Sequence, residues 1–202
     1  MIAYVESNFV LELALGQEEA PSAQDILELA ETNKIQLVYP AFALSEPFST
    51  ITYRALERRR LYDSLAIQLG QIQRSQPHHQ IASALKAVLS MWLDMGKKET
   101  DLLESTVKRL LNVSKPVEMD LLGFEQALAY RDRYSLSLQD AIVYSAVIAD
   151  LRQRNPKEPK CFISRNSKDF NDPGIKSELK PYSCRYIASF VDGLGFIRSK
   201  IA

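Results

Sequence analysis

Ile2-Ala3-Tyr4-Val5, followed at once by Glu6-Ser7-Asn8, and Ile35-Gln36-Leu37-Val38-Tyr39, followed at once by Pro40, decide the fold of this chain. Each is a short β-prone apolar run of the kind that forms a buried strand. Two segments of helical spacing lie between them. The first carries Phe9 and Leu13 and stops at Gly16; the second opens at Pro21-Ser22 and carries Ile26, Leu27, Leu29 and Ala30 on its apolar side. Pro40 stands where helices begin. Strand, helix, helix, strand, helix is the opening of an α/β fold with a parallel sheet.

Downstream the spacing is helical for a long stretch. Tyr62, Leu65, Leu69 and Ile72 predict one helix, Ile81, Leu85, Val88, Leu89 and Trp92 a second, and Leu103, Val107, Leu110 and Leu111 a third. Gln76-Pro77 and Gly96 punctuate them. Pro47, inside the helix that Pro40 begins, predicts a kink there. A further helix is expected over 118–133, after Pro116, and another from Ser137 to about Arg154. A loop at 155–159 leads to a third strand, Cys161–Ser164; a fourth is expected at Cys184–Ile187, and a closing helix from Ser189 to Ile201. No repeat or low-complexity tract interrupts the chain, so residues 1–202 read as one α/β domain. Its sheet is short, mostly parallel and flanked by helices, with a helical insertion or extension at about 55–117.

The 202 residues fit one domain of ordinary size, and 46% apolar with 25% charged residues is a globular composition. Lys plus Arg number 25 and Asp plus Glu 25, which excludes a protein that coats nucleic acid through bulk charge. The charge is segregated: residues 1–46 hold eight acids and one base, and the remainder carries the balancing excess of bases. The two parts either fold on each other or meet across a dimer. No apolar run approaches the roughly 20 residues that span a bilayer. Glu6 and Glu12 interrupt the first apolar residues and no basic segment precedes them, so no signal peptide is expected. Cys161 and Cys184, 23 residues apart, read as reduced structural thiols. A cytoplasmic protein is expected.

In open α/β sheets ligands bind beyond the carboxyl ends of the strands. Glu6 follows the first strand, Glu46 lies just past Pro40 and the second, Asp140 is in the first turn of the helix that Ser137 begins, and Asp169 follows the third strand. Four acids brought to one edge repel each other, and an oxygen-preferring cation, Mg²⁺ or Mn²⁺, removes the conflict. Each acid also has an ordinary use. Ser137 to Asp140 resembles a capping box, Glu6 suits a helix cap, Glu46 suits a solvated helix face, and Asp169 suits pairing with Lys168 or Arg165. His78-His79 lacks the i, i+4 spacing of helical metal ligands and is read as surface. Arg58-Arg59-Arg60 is a basic run, and residues 152–168 hold six bases and one acid. The second stretch, with Arg152, Arg154, Lys157, Lys160, Arg165 and Lys168, is either a contact for a phosphate backbone or a solvated helix end and loop.

Four stretches together resemble the PIN-domain ribonucleases. Val5-Glu6-Ser7-Asn8 resembles their opening Asp-x-Asn signature, and Pro40 through Ser45-Glu46 their second motif, a helix that carries a Glu. Leu136-Ser137-Leu138-Gln139-Asp140-Ala141 resembles the third, and Ile163-Ser164-Arg165-Asn166-Ser167-Lys168-Asp169-Phe170 the fourth. The ending, Tyr186-Ile187 to Phe190 and Leu194, resembles their last strand and helix; the stretch from about 55 to 117 has no counterpart. The resemblance implies metal-dependent cleavage of RNA. In that reading Glu6, Glu46, Asp140 and Asp169 bind Mg²⁺ or Mn²⁺, and Asn8, Asn166 and Ser137 orient them. It also implies that a cognate antitoxin protein and a homodimer are plausible partners. The departures are Glu at position 6 for the usual Asp, Ser167 where many members have another Asp, and 94 residues between Glu46 and Asp140. They motivate an alternative, a PIN-like binding or assembly protein without catalysis. A DNA-directed nuclease of similar architecture is a third reading.

Overall fold

Alternation along the strands assigns two buried faces to one sheet. In the computed structural model, which describes residues 1–201, the elements are β1 (Ile2–Tyr4), α1 (Ser7–Leu15), α2 (Ala20–Glu31), β2 (Gln36–Pro40), α3 (Ser45–Ile72), α4 (His79–Val113), β3 (Ser114–Val117), α5 (Leu121–Tyr134), α6 (Leu138–Arg152), β4 (Lys160–Ile163), α7 (Ser167–Phe170), α8 (Pro173–Leu179), β5 (Cys184–Ile187) and α9 (Phe190–Ile201). All strand pairs are parallel, in the order β3-β2-β1-β4-β5. Ala3, Val5, Leu37, Tyr39, Cys161 and Ile163 turn to one face, where α1, α2, α9 and the last turns of α4 cover them. Ile2, Tyr4, Val38, Phe162, Cys184 and Tyr186 turn to the other, beneath α6 and its neighbours α5, α7 and α8. Helix α6 lies between sheet and α5, which is why Ala141 through Val147 are buried on every side.

The helix ends follow their local chemistry. Glu6 caps α1 by accepting from the Asn8 amide, and Gly16 ends it with φ of 58°, a left-handed conformation that costs glycine nothing. Ser137 caps α6 through the Asp140 amide, and Asp120 caps α5 through that of Gly123. Cys161 and Cys184 are free thiols, both buried; burial pushes each thiol up, Cys184 to about 12. The acidic opening and the later bases meet within one chain: Arg109 pairs with Glu31, Arg165 with Glu12 and Arg198 with Asp25.

Three expectations need correction. The sheet has five strands, because Ser114-Lys115-Pro116-Val117 pairs with β2. Its lysine and proline disguise it, and an edge position tolerates both. The middle of the chain is two helices, with Gly96 buried inside α4. A Cβ at Gly96 would come within 3.0 Å of Arg58 Nη1, and Arg58 pairs with Glu99 at 2.6 Å across the α3–α4 seam. That close approach outweighs the roughly 1 kcal/mol that glycine costs a helix. Pro47 falls in the first turn of α3, after a 3₁₀ turn at Ala41–Leu44, where its missing N–H breaks no intrahelical bond. Helices α7 and α8 were not foreseen. No helix among the described residues is long and apolar enough to cross a membrane.

Candidate functional site

The strand order reverses at β1, between β2 and β4, and the chain turns out of β1 and β4 at the same edge. Such a reversal opens a crevice at the carboxyl ends of the strands. Glu6 stands there immediately after β1 and is buried. Its Oε2 accepts from the Asn8 amide at 3.0 Å and lies 2.7 Å from the Ser7 hydroxyl, while Oε1 is buried and has no hydrogen-bond partner among the described residues. Burial pushes this carboxyl above its ordinary value, and the donors of Asn8, Ser7 and Ser164 pull it only partly back.

Glu46, in the first turn of α3, comes to the same place. Its Oε2 lies 2.5 Å from Ser7 Oγ and accepts from Gln139 Nε2 at 2.8 Å. The Ser7 hydroxyl has one proton and sits between two carboxylates, so one of the two contacts lacks its donor unless a proton or cation is added. Asp140, beside Gln139, accepts from Asn166 Nδ2 at 3.0 Å on Oδ1 and from the Ser137 hydroxyl at 2.6 Å on Oδ2. Asn166 in turn gives its amide to Ser164 Oγ at 3.0 Å. Tyr186 donates to the Ser164 carbonyl at 2.9 Å; burial, with the charges of Glu6 and Asp169, pushes its phenol upward. Asp169, half-buried, lies in α7, which follows the carboxyl end of β4.

Glu6 and Glu46 are thus joined through Ser7, and Glu46 and Asp140 through adjacent residues of α6. Asp140 is joined to the β4 end through Asn166. Among the described residues, no group of three His, Cys, Asp or Glu side chains stands ready as a metal cage. Neutral donors occupy the carboxylate oxygens instead. Ser7, Gln139, Ser164 and Tyr186 were not singled out by the sequence, although Ser7 and Gln139 each adjoin an acid that was. For Ser7 and Ser164 the signal was a polar residue just past a strand's carboxyl end; Gln139, in the first turn of α6, and Tyr186, inside β5, had none.

The basic stretch is divided. Arg165 and Lys168 lie at the carboxyl edge; Arg165 pairs with Glu12 at 2.5 Å and Glu18 at 3.3 Å, and Lys168 is exposed. Arg152, Arg154, Lys157 and Lys160 lie at the other end of α6 and at the start of β4, since about 18 Å of helix separates Asp140 from Arg152. Arg152 holds Gln126, and Arg154 holds Asp150 at 2.8 Å. Lys160 is fully buried, its ammonium donating to the carbonyls of Asn155, Glu158 and Tyr182. That burial removes it from any nucleic-acid surface. His78 and His79 are exposed.

Replacing Glu6 with Gln keeps an acceptor for the Asn8 amide and deletes the buried charge. The folded pKa is raised, so folding favours the neutral carboxyl. The cost of the charge is absent below the unfolded value of 4.5 and is fully present above the folded one. In EDTA near neutral pH, Glu6→Gln is therefore expected to raise Tm by several degrees, at about 2–4 °C per kcal/mol for a chain of this size. The gain should close near about pH 4. A thermal melt at both pH values checks this, and unchanged or lowered Tm at neutral pH would contradict it.

No curated protein and no solved structure matches the chain. The family model described as PIN domain matches residues 4–170, from β1 through the end of α7 and including all four acids. PIN domains have a nuclease-type fold, are typically nucleases and generally use divalent metals. With a match over most of its length and a five-stranded parallel sheet flanked by helices, this chain belongs to the PIN domain family.

Proposed function

We propose that this chain is a metal-dependent endoribonuclease that hydrolyses RNA phosphodiester bonds at the Glu6 crevice. The observation that carries the reading is a buried carboxylate with an unpartnered oxygen, at the point where the strand order reverses, with three further acids at the same edge. The donor set is oxygen only, which suits Mg²⁺ or Mn²⁺. Glu6, Glu46, Asp140 and Asp169 would hold the ion. The shortage of protons at Ser7 and the orphan Glu6 Oε1 are unmet acceptor capacity of the kind a hard cation satisfies. When bound, the ion supplies Lewis acidity and lowers the pKa of water toward neutrality.

The chain's own residues do the positioning. Gln139 and Ser7 aim Glu46, and Asn166 and Ser137 aim Asp140. Lys168, exposed on α7, offers positive charge to the phosphate backbone, whereas Arg165 is engaged by Glu12 and Glu18. A cognate antitoxin protein is proposed as inhibitor, in keeping with a toxin role. One observation favours a second reading, a binding or assembly protein without catalysis: the carboxylates are held by neutral donors and form no ready cage.

Labelled single-stranded RNA and DNA incubated with Mn²⁺, Mg²⁺ or EDTA test the proposal. RNA cut internally only when an ion is present is the expected result. Equal cutting of DNA would move the substrate class. RNA bound but uncut under all conditions would overturn the nuclease reading in favour of the second.

A further inference from the structure

We propose that the cleft between α3 and α4 holds an unpaired nucleotide of the RNA strand on which the Glu6 crevice acts. The choice of ligand rests on that reading of the crevice. On α3, Glu46, Thr50, Tyr53, Glu57, Arg60 and Ser64 follow each other at steps of four, three, four, three and four residues. That spacing places them along one stripe of the helix. The stripe begins in the crevice with Glu46, two turns and about 10 Å before Tyr53. From Tyr53 onward it forms one wall of a cleft of about 630 Å³, which Trp92 lines from α4. Roughly three stacked nucleotides at 3.4 Å each cover the distance from carboxylate to cleft.

The lining joins aromatic rings to guanidinium groups. Tyr53 is 64% exposed, and Trp92, the chain's single tryptophan, is half-buried. Stacking on such rings holds a single strand whatever the base. Arg54, Arg58 and Arg60 stand against one acid, Glu57, so the lining is positive. Arg58 is tied to Glu99 at 2.6 Å and fixes the two walls relative to each other. Arg60 pairs with Glu57 one turn away, an exposed pair of the kind that contributes little, so a phosphate can replace the carboxylate. Arg54 is exposed and has no ion-pair partner among the described residues.

These features specify the occupant. The centre of a protein interface is depleted of charge, whereas rings interleaved with arginines are the pattern of single-strand grooves. A duplex keeps its bases stacked inside the helix, so only an unpaired stretch can place one between α3 and α4.

Trp92 fluorescence of the full chain tests the proposal, since no other tryptophan contributes. The titrant is an unstructured RNA of about 12 nucleotides, added in EDTA so that binding is read without cleavage. Quenching that saturates together with the anisotropy of labelled RNA is the expected result. Tyr53→Ala and Trp92→Ala should each weaken binding at least about fivefold at unchanged circular dichroism, and Trp92→Phe should recover most of the loss. Arg54→Ala should lower the slope of log affinity against log salt by about 0.7. Tyr53 and Arg54 are exposed, which preserves the test if Trp92→Ala unfolds. Arg59→Ala removes the same charge about 200° around α3 from Glu57, where Arg59 pairs with Asp63, and should leave affinity unchanged. RNA that binds without quenching overturns the proposal, as does an absence of RNA binding. Equal quenching by adenosine monophosphate or by a duplex of the same sequence overturns the strand as occupant, and equal loss in Arg59→Ala overturns the assignment to this face. Cleavage with Mn²⁺ is read separately: quenching without cleavage sustains the cleft and fails the nuclease reading, and cleavage with silent Trp92 does the reverse.

Discussion

Asp140→Asn is expected to lower metal-dependent RNA cleavage by at least 100-fold, about 2.7 kcal/mol of lost transition-state stabilisation, while leaving the fold intact. The substitution is nearly isosteric. The Asn166 side chain can still donate to the remaining carbonyl oxygen, and the Asp140 backbone amide still binds Ser137 Oγ, so the cap of α6 survives. What is lost is one negative charge from an edge that holds four, together with the favourable placement of that charge near a helix N-terminus. The dipole contribution is about 0.3–1 kcal/mol, too small to unfold the domain. Initial rates with Mn²⁺, set beside thermal melts of both proteins, check the claim. A rate within threefold of wild type would remove Asp140 from the site. A lower Tm matching the lost activity would reduce its role to structure.

Lys160→Ala is expected to act in the opposite way, with a large loss of stability and no specific loss of RNA affinity. The ammonium is the shared donor for three backbone carbonyls, from Asn155, Glu158 and Tyr182, where the loop after α6 meets the turn before β5. Burial pulls its pKa down, yet those contacts keep a charge-assisted donor at each oxygen. Removing it leaves buried acceptors unsatisfied and opens a cavity at the start of β4. Unsatisfied buried carbonyls at about 1–3 kcal/mol each, together with the cavity, put the cost at about 3–5 kcal/mol, and Tm should fall on the order of 10 °C. Lys160→Met fills the space without restoring the donor, so it should recover only part of the loss. Melts and RNA binding measured on the same preparations distinguish stability from contact. Weakened RNA binding at unchanged Tm would return Lys160 to the phosphate surface.

The two substitutions show where sequence was sufficient. Asp140 and its capping serine were legible because a helix N-terminus is written locally, in four consecutive residues. The same holds for Glu6 at the end of β1 and for Gly16 at the end of α1: strand period, cap and stop signals extend over a few positions, and local sterics enforce them. The parallel α/β order was equally legible, since short apolar runs separated by helical spacing leave few other topologies. Ser114–Val117 escaped because an edge strand needs no apolar run, and Gly96 misled because helix propensity is weaker than the packing of Arg58 and Glu99 around it.

Lys160 shows what sequence left open. In the chain it is one of six bases leading toward Asp169, but its neighbours in space are carbonyls from the loop after α6 and from the turn before β5. Charge in a sequence has no direction; burial assigns it one. The same applies to Ser7 between Glu6 and Glu46, and to Gln139 reaching Glu46 across 93 residues. The sequence alone determined the elements, their order and the acids at their ends, because those depend on near neighbours. Tertiary structure alone decided which donors hold each acid, which bases face the site and which side of the hairpin opens as a cleft, because those depend on contacts between residues far apart in the chain.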